Sequence, residues 1–95
     1  MIKASIRTLL AAGLLATMIP AAAHANDPAS CRRYARTALR QVHRAMARPA
    51  CATGLQGWRW SADYRTHYDW CMSTTFAATL TERDARIAYL RGCTR

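Results

Sequence analysis

The stretch from Asp27 to Ala47 has the spacing of an amphipathic helix. Asp27 can cap the free amides of a helix start, and Pro28 suits the first helical position. Pro49, which follows shortly afterwards, is a typical helix stop. Between these signals, apolar or small residues recur three and four positions apart, at Cys31, Tyr34, Ala35, Ala38, Leu39, Val42, Ala45 and Met46. The pattern predicts a first helix from Asp27 to Ala47.

Arginines occupy the opposite side of this predicted helix. With residues placed about 100° apart, they fall away from the apolar stripe. Several repeat at i+4, a like-charge spacing that mildly destabilises a helix and that nothing local compensates. The set comprises Arg32, Arg33, Arg36, Arg40, Arg44 and Arg48.

A second, shorter helix is predicted after a connecting loop. Pro49, Gly54 and Gly57 mark the loop, and Ser61 is the expected cap of the helix. The helix closes near Met72. Its residues on one face are Tyr64, His67, Tyr68, Cys71 and Met72.

A third helix is predicted near the end of the chain. Thr79 and Glu82 match a capping box, and Gly92 is the expected C-terminal stop. Residues 73–80 are ambiguous between a loop and an additional helical turn. The sequence therefore predicts an all-α fold, a small three-helix domain.

The first 25 residues read as a cleaved signal peptide. Lys3 and Arg7 form the charged end, an apolar stretch follows, and Ala23-His24-Ala25 matches a cleavage site. The apolar run is shorter than the ~20 residues that a spanning helix needs. We expect cleavage after Ala25, a single domain over residues 26–95 that does not span the membrane, and a periplasmic or secreted location.

Four cysteines, Cys31, Cys51, Cys71 and Cys93, lie in this domain, and export would bring them to an oxidising compartment. Their wide spacing matches no zinc or thioredoxin signature. If the second helix runs antiparallel to the first and the third turns back again, Cys31 meets Cys71, and Cys51 meets Cys93. These two disulfides would staple a domain whose core is too small to be very stable alone.

Charge supplies the main functional signal. The whole chain carries a formal net charge of +9, and residues 26–95 contain twelve arginines, five acidic residues and no lysine. The arginines of the first helix are therefore candidates for binding an anionic polymer, lipid headgroup or glycan. A solvated surface helix is the alternative. No module for sequence-specific DNA recognition is visible.

Trp58, Arg59 and Trp60 form a second candidate ligand platform. In an extended segment both indoles would point to one side, where they could stack on sugar rings. The alternative is that these aromatic side chains fill the core. The segment favours a carbohydrate-binding or inhibitor function as the competing hypothesis, and a structural envelope protein without a ligand is a third.

The sequence shows no catalytic constellation. His43 and His67 lie on different predicted helices without an adjacent nucleophile, and His67 is expected to be a hydrogen-bonded core residue. No pair of acidic residues has the spacing of a catalytic dyad. We predict no enzymatic activity, no cofactor and no metal site.

A set of residues distributed over the predicted domain resembles a group of small exported bacterial proteins of uncharacterised function. The matching positions are Cys31-x-x-Tyr34-Ala35, Gln41, Cys51, Gly57-Trp58, His67-x-x-Trp70-Cys71, Glu82, Arg86, Leu90 and Cys93. The resemblance implies a shared disulfide scaffold. It implies no activity, cofactor or catalytic residue.

Overall fold

A long helix, α1 (Pro28–Met46), is the element against which the others pack. It is followed by the short α2 (Pro49–Ala52), a 3₁₀ turn (Trp58–Trp60), α3 (Tyr64–Met72) and α4 (Phe76–Cys93). The computed structural model describes residues 26–94, and no strand occurs within that range. The all-α prediction is confirmed, whereas the predicted signal peptide, residues 1–25, lies outside the described residues.

The start and end of α1 follow from the local sequence. Asp27 accepts a hydrogen bond from the backbone N–H of Ser30 at 2.7 Å, and Pro28 occupies the first turn, as predicted. The helix ends at Met46. Arg48 then adopts an extended conformation, which the residue before a proline favours, and Pro49 begins α2.

The predicted caps of the other two long helices are wrong. Asp63, not Ser61, caps α3, and its side chain accepts a hydrogen bond from the N–H of Arg65. Thr75, not Thr79, caps α4 by accepting from Ala78. Thr79 instead lies buried one turn inside the helix, where its hydroxyl donates to the Phe76 carbonyl. The ambiguous stretch before it is therefore partly the first turn of α4.

The predicted stop at Gly92 is also wrong. Helix α4 continues through Cys93, and Thr94 is its C-terminal cap. Gly57 is the single residue with a positive φ in the described range, so Gly92 does not form the left-handed cap that was expected.

Two disulfides fix the order of the helices. Cys31 in the first turn of α1 is bonded to Cys71 near the end of α3, so these helices are antiparallel. Cys51 in α2 is bonded to Cys93 at the end of α4. Both bridges are those favoured by the predicted helix arrangement, and within residues 26–94 no cysteine is free.

The core combines small apolar side chains with polar ones. Helix α1 contributes Cys31, Ala35, Ala38, Val42 and Ala45, which allow close approach of the neighbouring helices. The largest fully buried side chains, however, are Arg86 and His67. No helix between residues 26 and 94 is long and apolar enough to cross a membrane.

Candidate functional site: the arginine face of α1

Six exposed arginines define a basic surface, which we call the arginine face. They are Arg32, Arg33, Arg36, Arg40, Arg44 and Arg48. At about 100° per residue, the five that lie within α1 fall inside an arc of roughly 120°. The buried residues of α1 occupy the other side of the helix. The amphipathic pattern that packs α1 into the domain therefore also gathers its charges on one face.

No arginine of this face has a carboxylate within 4.0 Å among the described residues. Two of them donate to hydroxyls one turn earlier, Arg33 to Ser30 at 3.3 Å and Arg40 to Thr37 at 3.0 Å. A guanidinium has five N–H donors, so each of these bonds leaves most of the group available to a ligand.

Asp27 is the one acidic residue between positions 27 and 48, and it is occupied as the cap of α1. The backbone N–H of Ser30 lowers the pKa of Asp27 below its ordinary value, and the charge of Arg33 contributes to the same shift. Asp27 therefore stays ionised at neutral pH, but it does not neutralise the arginines that lie beyond the first turn of α1.

Of the four acidic residues elsewhere, three are paired with other arginines, and the fourth, Asp63, is occupied as the cap of α3. Glu82 binds Arg59 through two hydrogen bonds of 2.7 and 3.1 Å, and the Glu82 side chain is largely buried. Two more exposed pairs, Arg65 with Asp69 and Arg83 with Asp84, lie on α3 and α4. The unbalanced positive charge is thus concentrated on α1.

Two cavities lie between α1 and α4 on the side next to the arginine face, and we call the crease that contains them the groove. Near the start of both helices it widens into a cavity of about 190 Å³ whose lining includes Arg33 and Arg83. Near their ends it forms a second cavity of about 400 Å³, lined in part by Arg44, Arg48 and Arg91. Residues near the start of α1 share a cavity with residues near the start of α4, and residues near the two ends share the other cavity. The two helices therefore run in the same direction.

A polar network lies beneath this groove. Arg86 is fully buried and donates to Gln41 Oε1 at 2.6 Å, to the Tyr34 hydroxyl at 2.9 Å and to the Arg59 carbonyl at 3.4 Å. Burial raises the pKa of Tyr34, which keeps its phenol protonated. The network links α1, α4 and the 3₁₀ turn, and so fixes the separation of the groove walls.

The burial of Arg86 was not expected from its position on the predicted helix. A single arginine on a helix is usually exposed, and nothing in the local spacing marks this one as buried. The one signal in the sequence is the resemblance, which includes Tyr34, Gln41 and Arg86 among its matching positions.

The Trp58-Arg59-Trp60 segment is not extended, so the geometry under which both indoles would point to one side is absent. Gly57, with a φ of 83°, leads into a 3₁₀ turn, so the two indoles do not alternate as they would in a strand. Trp60 packs against Tyr89 with ring centroids 4.9 Å apart, and Arg59 is engaged by Glu82. Trp58 remains 45% exposed, with its ring 5.0 Å from Trp70.

His67 is a buried core residue, as predicted. Its Nε2 donates to the Ser61 carbonyl at 2.7 Å, while Nδ1 is buried and makes no hydrogen bond. Desolvation by burial lowers the pKa of His67, which favours the neutral ring. His43, in contrast, is exposed on α1. Within residues 26–94, no group of three or more histidine, cysteine or acidic side chains is placed to hold a metal ion.

Comparisons with known proteins give no family for this chain. No family model, curated protein or solved structure is detectably similar to it. The arginine face and the groove therefore have to be interpreted from their own chemistry.

Proposed function

We propose that the domain binds an anionic polymer or surface through the arginine face of α1. The observation that carries this proposal is the set of six exposed arginines, five of them on one side of α1 and Arg48 just beyond its end, without a carboxylate partner among the described residues. Clustered like charges are unfavourable in the free protein, and an anionic ligand would relieve their repulsion. The proposed activity is binding, without catalytic turnover.

The disulfides support a location outside the cytoplasm. Two bridges, with no free cysteine between residues 26 and 94, are typical of an oxidising compartment. We place the protein in the periplasm or the secreted fraction, with residues 1–25 acting as its export signal. Membership of the group of small exported four-cysteine proteins is part of the same proposal.

The test measures binding of the oxidised protein to anionic and neutral ligands at low and high salt. A variant with Arg36→Gln, Arg40→Gln and Arg44→Gln should keep its helical circular dichroism and lose binding. Arg65→Gln is the control, because it removes an exposed arginine from α3. Equal binding by the triple variant and the unmodified protein would refute the proposal.

A carbohydrate-binding function is the second candidate, and the exposed ring of Trp58 favours it. The ring is held against Trp70, which in turn contacts Tyr34, so it presents a supported apolar surface. Binding of this kind should survive high salt and fail in Trp58→Ala. If neither anions nor glycans bind, an inhibitor or a purely structural envelope function becomes the better hypothesis.

A further inference from the structure

The groove between α1 and α4 extends the basic surface onto a second helix. Arg33 and Arg44 of α1, with Arg48 just beyond its end, line one wall, and Arg83 and Arg91 line the α4 wall. Arg33 and Arg44 are about 16 Å apart along the axis of α1 at 1.5 Å per residue. The cationic groups therefore follow an elongated path, which a linear ligand could contact at several points.

The width of the groove limits the ligand to a thin chain. Packed helices have axes about 8–10 Å apart, so the groove between their outer side chains is too narrow for two paired strands to enter. A flat membrane would rest on the outer part of the arginine face without entering the groove. A single polymer strand fits between the walls.

The lining favours a ligand that accepts hydrogen bonds. Arginine can only donate, and neither cavity has an aspartate or glutamate in its lining. The side-chain oxygen of Gln41 is already used by Arg86. The hydroxyls of a glycan, which must also donate, would find no carboxylate here and only neutral acceptors such as the side-chain oxygens of Asn26, Ser30 and Thr37, whereas the phosphodiester groups of a nucleic acid offer acceptors alone.

An exposed aromatic ring lines the first cavity. Phe76 is 60% exposed and lines this cavity together with Leu80 and the two arginines Arg33 and Arg83. A flat apolar ring beside guanidinium groups is the arrangement on which proteins stack bases of single-stranded nucleic acids.

Building on the proposed function, we infer that the anionic ligand is single-stranded nucleic acid lying lengthwise in the groove. Its phosphates contact arginines of both walls, and a base stacks on Phe76. Recognition is independent of sequence, because every base has a flat face and the phosphates carry no sequence information.

The experiment uses fluorescence anisotropy with the oxidised protein and a labelled oligothymidylate of about 12 nucleotides, a length within the usual site sizes. Competitors are an abasic phosphodiester chain of equal length, the corresponding duplex and a sulfated polysaccharide. The oligothymidylate should bind most tightly, and its affinity should fall steeply with salt.

Two double variants remove equal charge from the arginine face. Arg44→Gln with Arg48→Gln alters the groove, and Arg32→Gln with Arg36→Gln alters the outer part of the arginine face. The groove variant should bind the oligothymidylate about tenfold more weakly and lower the salt slope by about 0.7 for each phosphate that it no longer neutralises. The outer variant should show no more than about a third of that effect on the logarithmic scale.

Phe76→Ala tests the stacking interaction separately. It should weaken oligothymidylate binding by roughly fivefold or more and leave binding of the abasic chain unchanged. Equal weakening in the two double variants, or tighter binding of the duplex or the polysaccharide, would overturn the groove inference while the proposed function stands. Failure to bind any anion would refute the proposed function as well.

Discussion

Arg86 offers the most demanding test of the structure, because it places a charged side chain in the middle of the core. We consider Arg86→Met, which keeps much of the apolar stem and removes the guanidinium. The three acceptors that it serves belong to Gln41, Tyr34 and Arg59. Each buried polar group left without a partner costs about 1–3 kcal/mol, although the Tyr34 hydroxyl can reorient.

The net loss of stability in Arg86→Met is smaller than the sum of these penalties, because removing the charge also removes the cost of desolvating it. We expect the free energy of unfolding to fall by about 2–4 kcal/mol. For a domain of this size that corresponds to a drop in Tm of roughly 10–30 °C. Urea and thermal unfolding of the oxidised protein, followed by circular dichroism, measure both quantities.

Arg36→Met is the matched control, since Arg36 is exposed on α1, on the side away from the core. Its effect should stay within about 0.5 kcal/mol. Adding Gln41→Leu to Arg86→Met should recover part of the stability, because the stranded acceptor is then removed as well. If Arg86→Met and Arg36→Met unfold at the same urea concentration, the buried network does not exist as described.

Three further predictions concern stability. Replacing Cys51 and Cys93 by alanine opens a bridge between residues 42 positions apart, which should lower the unfolding free energy by about 4 kcal/mol in denaturant titrations. Because burial lowers the pKa of His67 from 6.5 in the folded protein, the unfolded chain binds a proton at His67 at a higher pH than the folded protein does. Stability should be fully present above pH ~6.5 and decrease as pH falls below it; His67→Gln, but not His43→Gln, should abolish this dependence in urea midpoints. Thr75→Ala should cost about 1 kcal/mol by removing the cap of α4, and an unchanged Tm in thermal unfolding would contradict the assignment.

The features set by periodicity were predictable from the sequence. The i, i+3, i+4 spacing determines which side of α1 is buried, and the same spacing places Arg36, Arg40 and Arg44 on the exposed side. The order of the helices then brings each cysteine next to its partner. These predictions depend on local geometry and on short connections, which the sequence contains.

The features decided by tertiary contacts were not predictable in this way. Thr75 and Thr79 are both suitable caps by residue type, and the burial of Thr79 distinguishes them. The 3₁₀ turn at Trp58 contains Arg59, which is paired with Glu82, 23 residues away. Such contacts override the local preference of a short segment, and no spacing rule reveals them.

The positions of the two disulfides have a consequence for proteolysis. Cys31 ties the first turn of α1 to α3, and Cys51, just beyond its end, ties the chain to α4. Proteases that cleave after arginine require a locally unwound, extended segment, and helices normally provide it by fraying from their ends. Here both ends are covalently held, so cleavage within α1 must await opening of the whole domain. The peptide bonds after the arginines of α1 are thereby protected from trypsin-like enzymes, although the arginine side chains themselves are exposed.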